Sequence, residues 1–171
     1  GGAIQSAPFR TPLSERPRTA AHAAKRHKEA TVATNTTRAV NKGKLAFDLE
    51  LQGTTIKVDA DPAVGGEDYG PRPKPLVLSS LAGCTGMDVA SILGKMKVNY
   101  DSFELEIEGD LAESHPKTYT AIRLRYIFTG NDLDRNKIQK AIELSLENYC
   151  GVAAMLKKAG ASIDYEIVIN S

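Results

Sequence analysis

Hydrophobic and polar residues alternate over several short stretches of the chain, and this period of two predicts half-buried β-strands. The clearest stretches are residues 45–51, 103–108, 122–128 and 163–169. Residues 31–40, which are rich in Thr and Val, and residues 54–60 predict two further strands. Turns predicted at Asn41-Lys42-Gly43 and Gln52-Gly53 join the first three strands into a meander.

A long and strongly apolar helix is predicted to begin at Pro75 and to extend to Met96. Apolar residues surround most of its circumference instead of forming one stripe, which is typical of a helix buried on nearly all sides. The rest of the chain is too small to cover such a helix fully. We therefore expect a second copy of the chain to cover part of it, in a homodimer.

Two shorter helices are predicted before the last strand. The first is capped by Asp132 or Asp134 and is interrupted at Gly151, and the second covers residues 152–158 and ends at Gly160. The inner stripe of the first helix is Ile138, Ala141, Ile142 and Ser145. Strands therefore cluster before and after the long helix without βαβ alternation, which predicts an α+β fold.

The composition is that of an ordinary globular protein, with 42% hydrophobic and 25% charged residues among 171. Two cysteines are too few for a disulfide scaffold, and no apolar run reaches the roughly 20 residues of a membrane span. Residues 1–43 carry eight Lys and Arg against two Asp and Glu, so the remainder of the chain is acidic. We therefore expect no nucleic-acid partner for the folded body, and no membrane partner.

Residues 1–30 differ in composition from the rest and predict an N-terminal extension, either flexible or left over from cloning, before one domain at residues 31–171. The extension combines Ser, Pro, Arg and Ala with few large apolar residues, and it starts with two glycines. It contains no apolar stretch of the kind found in secretion signals, so we expect a cytoplasmic protein.

The two cysteines are the residues with the clearest chemical potential. Cys84 lies within the apolar helix, and Cys150 lies between the two shorter helices. One interpretation is that both are small buried core residues. The other is a redox pair, in which one thiolate attacks a peroxide and the second thiol condenses with the resulting sulfenic acid. The three histidines show no metal-ligand spacing with the cysteines, so we expect neither a metal nor another cofactor.

Activation of Cys84 as a thiolate requires a nearby cation, because the residue lies too far along its helix to gain much from the helix dipole. Asp88, one turn further along the same face, would oppose thiolate formation. The candidate cations are Arg38, Lys42, Arg72 and Lys74.

Two stretches of the chain resemble the OsmC/Ohr family. Residues 73–96, PKPLVLSSLAGCTGMDVASILGKM, are similar to the central helix of that family, and residues 133–167 are similar to its second cysteine region. The resemblance extends over about residues 31–170. It implies an OsmC-like α+β fold in which antiparallel sheets pack on long central helices of an intertwined homodimer.

The resemblance also implies an activity, because members of this family reduce organic hydroperoxides with two cysteines that dithiols such as lipoyl groups recycle. By position, Cys84 would be the peroxidatic thiol and Cys150 the resolving thiol, at the dimer interface. Family peroxidases also use an Arg from the N-terminal strands, for which Arg38 is a candidate. The implied role is defence against oxidative stress.

Two departures from the peroxidase pattern favour the broader OsmC-like group over the Ohr subgroup. The family's Glu at the start of the central helix is absent from Pro73-Lys74-Pro75, and Glu67 or Asp68 is a candidate replacement. The Cys-Pro-Tyr segment of the Ohr subgroup is replaced by Cys150-Gly151-Val152. Two alternatives stay open: a non-catalytic dimer that binds a small apolar or acyl ligand at its interface, and an interaction protein whose basic extension docks a partner.

Overall fold

The computed structural model of the protein describes residues 33–171, which form two three-stranded sheets and three α-helices. Residues 36–171 make up one compact unit. The extension expected at residues 1–30, and the start of the strand expected at 31–40, lie outside the described residues. The boundary expected between residues 30 and 31 therefore stays a prediction.

The first sheet is an antiparallel meander of β1 (Arg38–Gly43), β2 (Ala46–Leu51) and β3 (Thr54–Val58), as expected. The strand β1 begins later than predicted and continues through residues 41–43, which were predicted to form the turn. The chain reverses instead at residues 44–45, next to Gly43 with its φ of 115°. Glycine adopts this left-handed backbone without a steric penalty, so the strand can extend up to it.

The long helix α1 (Pro75–Lys95) begins at the predicted proline. Proline suits the first turn of a helix because the N–H that it lacks would have no partner there. Only one stripe of α1 is buried, formed by Leu81, Thr85, Val89 and Leu93. Another face is open, and the side chain of Met87 is 71% exposed. Burial on nearly all sides is therefore not achieved within a single chain.

The second sheet has the order β4 (Ser102–Leu111), β5 (Tyr119–Thr129) and β6 (Ser162–Asn170). Strands β4 and β5 are antiparallel, whereas β5 and β6 are parallel. The parallel pair is connected through α2 (Arg135–Leu144) and α3 (Gly151–Lys158), so the expectation of antiparallel sheets without a βαβ unit is corrected here. The α+β class is confirmed.

The two faces of the second sheet are chemically distinct. The inner face contributes Ile122, Leu124, Tyr126 and Phe128, each at most 1% exposed, to a core shared with the helices. On the outer face, Arg123 contacts Asp110 at 2.6 Å, and Arg125 contacts Glu166 at 2.8 Å. Acidic and basic side chains thus pair across neighbouring strands on this face.

The loop before α1 is organised by the buried carboxylate of Asp59. This side chain accepts hydrogen bonds from the backbone N–H groups of Ala60 at 2.7 Å, Glu67 at 2.8 Å and Tyr69 at 3.1 Å. A Cβ atom at Gly66 would lie 1.9 Å from the Ala60 carbonyl oxygen, so only glycine fits this close approach. The loop is therefore a folded element that leads into α1.

Helix α1 is long and apolar enough to cross a membrane by length and composition, although no such segment was expected. Less than a quarter of its most apolar window is buried within the described chain. Its buried stripe, however, packs in the same core as the second sheet, and Asp88 lies near its middle. These contacts are those of the core helix of a globular domain.

Candidate active site

The fold brings Cys84 and Cys150 together with Asp88. The two sulfur atoms and one oxygen of Asp88 all lie within 4.8 Å of one another. Cys84 is half-buried, whereas Cys150 is only 3% exposed. Both thiols are free, so the pair is in its dithiol state.

Helix α1 supplies two members of this group, Cys84 and Asp88. Residues four apart lie one turn apart on the same face of a helix. The neighbouring residues Thr85 and Val89 are fully buried, so Cys84 and Asp88 border the buried stripe. Reagents can therefore approach Cys84 from the more open side of the helix.

Cys150 is positioned by a local irregularity in the chain after α2. Residues Ser145–Tyr149 form a π-helical turn, closed by a hydrogen bond of 2.8 Å from the Cys150 N–H to the Ser145 carbonyl oxygen. Cys150 itself has an extended backbone and caps α3, with its Sγ accepting from the Ala153 N–H at 3.4 Å. The predicted break in the helix thus falls at Cys150, one residue before Gly151. Single π-helical turns are frequent at functional sites.

Burial, and after it the interaction with Cys84, raise the pKa of the Cys150 thiol to about 11. The N–H of Ala153 acts in the opposite direction by donating to the sulfur, but its effect is smaller. Burial dominates because a thiolate loses hydration in an apolar environment. At neutral pH, Cys150 is therefore a neutral thiol.

Three buried hydroxyl groups form a hydrogen-bond network that ends at Asp88. The Ser145 hydroxyl lies 3.0 Å from an Asp88 oxygen and 3.0 Å from the Thr85 hydroxyl, which lies 2.7 Å from the Tyr126 hydroxyl. A carboxylate only accepts hydrogen bonds, so Ser145 is the donor to Asp88, and its hydroxyl is also oriented to donate to the Thr85 oxygen. Either of the Thr85 and Tyr126 hydroxyls can donate to the other. Burial raises the pKa of Tyr126, which keeps it a neutral donor.

Sequence analysis did not identify Thr85, Ser145 or Tyr126 as site residues. Each is completely buried, and each belongs to a different element: α1, the π-helical turn and β5. A detectable signal was present, because each places a hydroxyl on an otherwise apolar inward face. Buried hydroxyl groups require hydrogen-bond partners, so such residues predict a shared network.

The structure does not bring Arg38 to the cysteines within one chain. Arg38 lies on β1, which pairs with β2, and its guanidinium contacts the Glu50 carboxylate at 3.1 Å. Lys74 occupies the capping position of α1 without a side-chain cap. Other candidate charged residues are held in ion pairs elsewhere: Lys42 with Asp48, Arg72 with Asp68, and Glu67 with Lys44.

The cluster of two sulfur atoms and one carboxylate is also a possible set of metal ligands. Thiolates and carboxylates are the ligands of many zinc sites, and Ser145 would act as an outer-shell partner that orients Asp88. The histidine and cysteine spacings in the sequence do not predict this group, because the fold assembles it from two distant parts of the chain.

One thiol lies on α1 and the other lies at the start of α3, beneath a three-stranded sheet. The chain is therefore an α+β protein with a dithiol site. The sequence model of the OsmC-like protein family matches residues 65–166, which is more than half of the chain. The chain therefore belongs to the OsmC-like protein family, as its sequence motifs implied. Both cysteines lie inside the matched region.

Comparison with individual proteins agrees with this assignment. Protein YhfA of Escherichia coli K12 is 38% identical over 102 residues, which cover 59% of this chain and 76% of that protein. A hypothetical protein from Aquifex aeolicus superposes with a TM-score of 0.70 at 25% identity, covering 82% of this chain and all of that structure. An organic hydroperoxide resistance protein OsmC from Legionella pneumophila shares the fold, with a TM-score of 0.58 at 19% identity and coverage of 82% and 100%.

Proposed function

We propose that this protein is a thiol-dependent peroxidase that reduces organic hydroperoxides in defence against oxidative stress. The observation that carries the proposal is the proximity of the two free thiols, within 4.8 Å, in a member of the OsmC-like family. The unequal exposure of the thiols assigns their roles. Cys84 is accessible enough to meet a substrate, whereas Cys150 is buried beside it and protected from other oxidants.

The proposed reaction needs only these two residues, the hydroperoxide and an external dithiol. The sulfur of Cys84 attacks the O–O bond of the hydroperoxide, forming a sulfenic acid and releasing an alcohol that takes up the thiol proton. Cys150 then attacks the sulfenic sulfur, forming a disulfide and releasing water. A lipoyl-type dithiol reduces that disulfide and is itself oxidised to a cyclic disulfide.

The same proposal includes a homodimer, because a single chain leaves α1 and the first sheet insufficiently covered. The exposed side of α1 carries Met87 and the small residues Ser80, Gly83, Ser91 and Gly94, which allow close approach of another helix. Within residues 33–171, the first sheet packs mainly on itself and exposes Leu45 and Leu51. A second copy would cover both surfaces.

Arg38 belongs to the proposal as a residue that would act across the dimer interface. Its own chain pairs it with Glu50 on the exposed first sheet, so a role at the cysteines requires a second copy to bring it there. Arg38→Ala should then slow hydroperoxide reduction. Arg123→Ala, on the outer face of the second sheet, is the matched control and should not slow hydroperoxide reduction.

A cytoplasmic location stays a prediction.

The test is the reduction of tert-butyl hydroperoxide by dihydrolipoamide, with wild type, Cys84→Ser and Cys150→Ser. We expect wild-type turnover well above that of the dithiol alone. Cys84→Ser should abolish this excess, whereas Cys150→Ser should consume hydroperoxide once and then accumulate over-oxidised Cys84. Turnover equal to the dithiol alone in all three proteins would contradict the proposal.

A second candidate function, a non-catalytic dimer that binds a small apolar or acyl ligand, is favoured by one observation. The Asp88 carboxylate lies beside Cys84, where a negative charge disfavours a second one on the sulfur. Within the part of the chain that the structure describes, no ion pair neutralises Asp88. Native mass spectrometry of the purified protein would detect a co-purified ligand, and its presence together with inert thiols would favour this candidate.

A further inference from the structure

Asp88 is the acidic group that the fold places beside both thiols. A carboxylate oxygen of Asp88 lies within 4.8 Å of the sulfur atoms of Cys84 and Cys150, and its Oδ2 accepts a hydrogen bond from Ser145. We infer that Asp88 is the proton-transfer residue for the attack of the Cys150 thiol on an oxidised Cys84. For peroxides, this inference rests on the proposed function.

The resolving step requires a proton to move between two atoms that Asp88 adjoins. The Cys150 thiol attacks the sulfur of the Cys84 sulfenic acid, the S–O bond breaks, and a disulfide forms. The thiol proton of Cys150 must leave, and the departing oxygen must gain a proton to become water. Asp88 takes the first proton and supplies the second, so the carboxylate is unchanged after the step.

Cys150 needs such a base because it is neutral under ordinary conditions. Its side chain is only 3% exposed, and burial disfavours the thiolate, which is the effective nucleophile. A base adjacent to the sulfur removes the proton as the S–S bond forms, so that a buried free thiolate is not required. This explains why an acidic residue is compatible with a site that uses thiol chemistry.

Ser145 positions Asp88 for this task and connects it to Cys150. Its hydroxyl donates to one carboxylate oxygen, and its carbonyl oxygen accepts from the Cys150 N–H at 2.8 Å. One residue therefore fixes both the base and the backbone of the nucleophile. Behind it, the hydroxyls of Thr85 and Tyr126 continue the hydrogen-bond network from Ser145 into the core.

The remaining distance is within reach of proton transfer. A base needs to approach the proton to about 3 Å, or to act through one water molecule. The second oxygen of Asp88 is not committed to a hydrogen bond among the described residues, so a small rotation of the side chain or one water covers the gap.

The test measures the attack of Cys150 without requiring peroxide. Ellman's reagent forms a mixed disulfide with the more exposed Cys84 and releases a first thionitrobenzoate. Cys150 then attacks the Cys84 sulfur and releases a second one, and its proton must be removed in this step too. We expect Asp88→Asn to slow the second release by about 100-fold or more, as loss of a general base does. The amide still accepts from Ser145, so the fold is retained.

Three companion measurements make the result decisive. Asp164→Asn, an exposed carboxamide substitution on β6, should react as wild type does. Ser145→Ala keeps the carboxylate but removes its anchor, so it should slow the second release less than Asp88→Asn. Raising the pH towards the pKa of Cys150 should rescue Asp88→Asn, because hydroxide then replaces the base. Cys84 and Tyr126 are the ionisable groups of the described residues that interact electrostatically with Cys150, and Tyr126 also interacts with Asp88.

A second release at the wild-type rate in Asp88→Asn would overturn the inference. If the second release is slow in Asp88→Asn and alkaline pH does not restore its rate, the inference is also overturned. The carboxylate would then affect only the structure of the site. The peroxidase proposal fails separately, when wild type with tert-butyl hydroperoxide gives no sulfenic acid that dimedone can trap. In that case the assay with Ellman's reagent still shows whether Asp88 accelerates the attack of Cys150 on a modified Cys84.

Discussion

The sulfur atoms of Cys84 and Cys150 lie within 4.8 Å of each other, although one cysteine belongs to α1 and the other to the break between α2 and α3. We expect rotation of the two side chains to bring the sulfur atoms to the S–S bond length of about 2 Å. Mild oxidation should therefore give an intrachain disulfide.

This prediction is checked by intact mass after treatment with one equivalent of diamide. Wild type should lose two hydrogens and remain a single chain on a non-reducing gel. Neither Cys84→Ser nor Cys150→Ser can form this bond. Disulfide-linked dimers as the main wild-type product would show that the thiols do not meet within one chain.

The two thiols should also differ in reactivity, since burial raises the pKa of Cys150 to about 11 from its usual 9.0. In Cys84→Ser, where burial of Cys150 remains, alkylation by iodoacetamide at pH 8 should be slower than for an ordinary cysteine by up to roughly 100-fold, because two pKa units reduce the thiolate fraction by that factor. The rate should keep rising up to about pH 11. A plateau below pH 9 would contradict the prediction.

A third prediction concerns the exposed face of α1. Met87 is 71% exposed in a single chain, and a homodimer would bury it. Met87→Glu should convert the dimer to a monomer, because a charge in an apolar interface loses its hydration. Light scattering coupled to size-exclusion chromatography measures the change in mass. Val64→Glu, at a loop residue that is 69% exposed, is the control and should leave the mass unchanged.

Local patterns predicted much of this fold because they depend on neighbours in sequence. The alternation in residues 122–128 identified the inner face of β5, and the cap at Asp134 identified the start of α2. The first turn was misplaced because Gly43 can extend a strand as well as end it. The parallel pairing of β5 and β6 was missed, since partner choice between strands separated by two helices leaves no local pattern.

The candidate site was also predicted only in part, because some of its contacts join distant parts of the chain. Cys84 and Cys150 were recognised from their positions, and Asp88 was noted as the neighbour of Cys84 on α1. The roles of Thr85 and Ser145 depend on a contact between α1 and the π-helical turn, which only the folded chain creates. Whether Arg38 contributes depends on a contact between two chains, so neither the sequence nor a single chain determines it.

The buried hydroxyl network should contribute measurably to stability. Thr85→Val keeps the shape of the side chain but leaves the buried Tyr126 hydroxyl without its partner at 2.7 Å. An unsatisfied buried hydroxyl costs about 1–3 kcal/mol, which urea unfolding measures. Adding Tyr126→Phe removes the unpaired group, so the double variant should be destabilised by less than the sum of the single variants. Strict additivity would mean that the two hydroxyls do not interact.

The Asp59 carboxylate should make the folded state sensitive to acid. Its hydrogen bond from the Glu67 N–H is the largest of the effects that hold the pKa of Asp59 below its usual 3.8, with Tyr69 and Ala60 contributing further. A carboxyl with a depressed pKa stabilises the fold above its unfolded pKa, and this contribution is lost as the pH falls from about 4 through the lower folded value. Asp59→Asn should therefore be less stable at pH 7 and show a flatter decline below pH 4, followed by circular dichroism during thermal unfolding. The exposed Asp164→Asn should keep the wild-type profile, and an acid decline as steep in Asp59→Asn as in wild type would show that other carboxylates govern it.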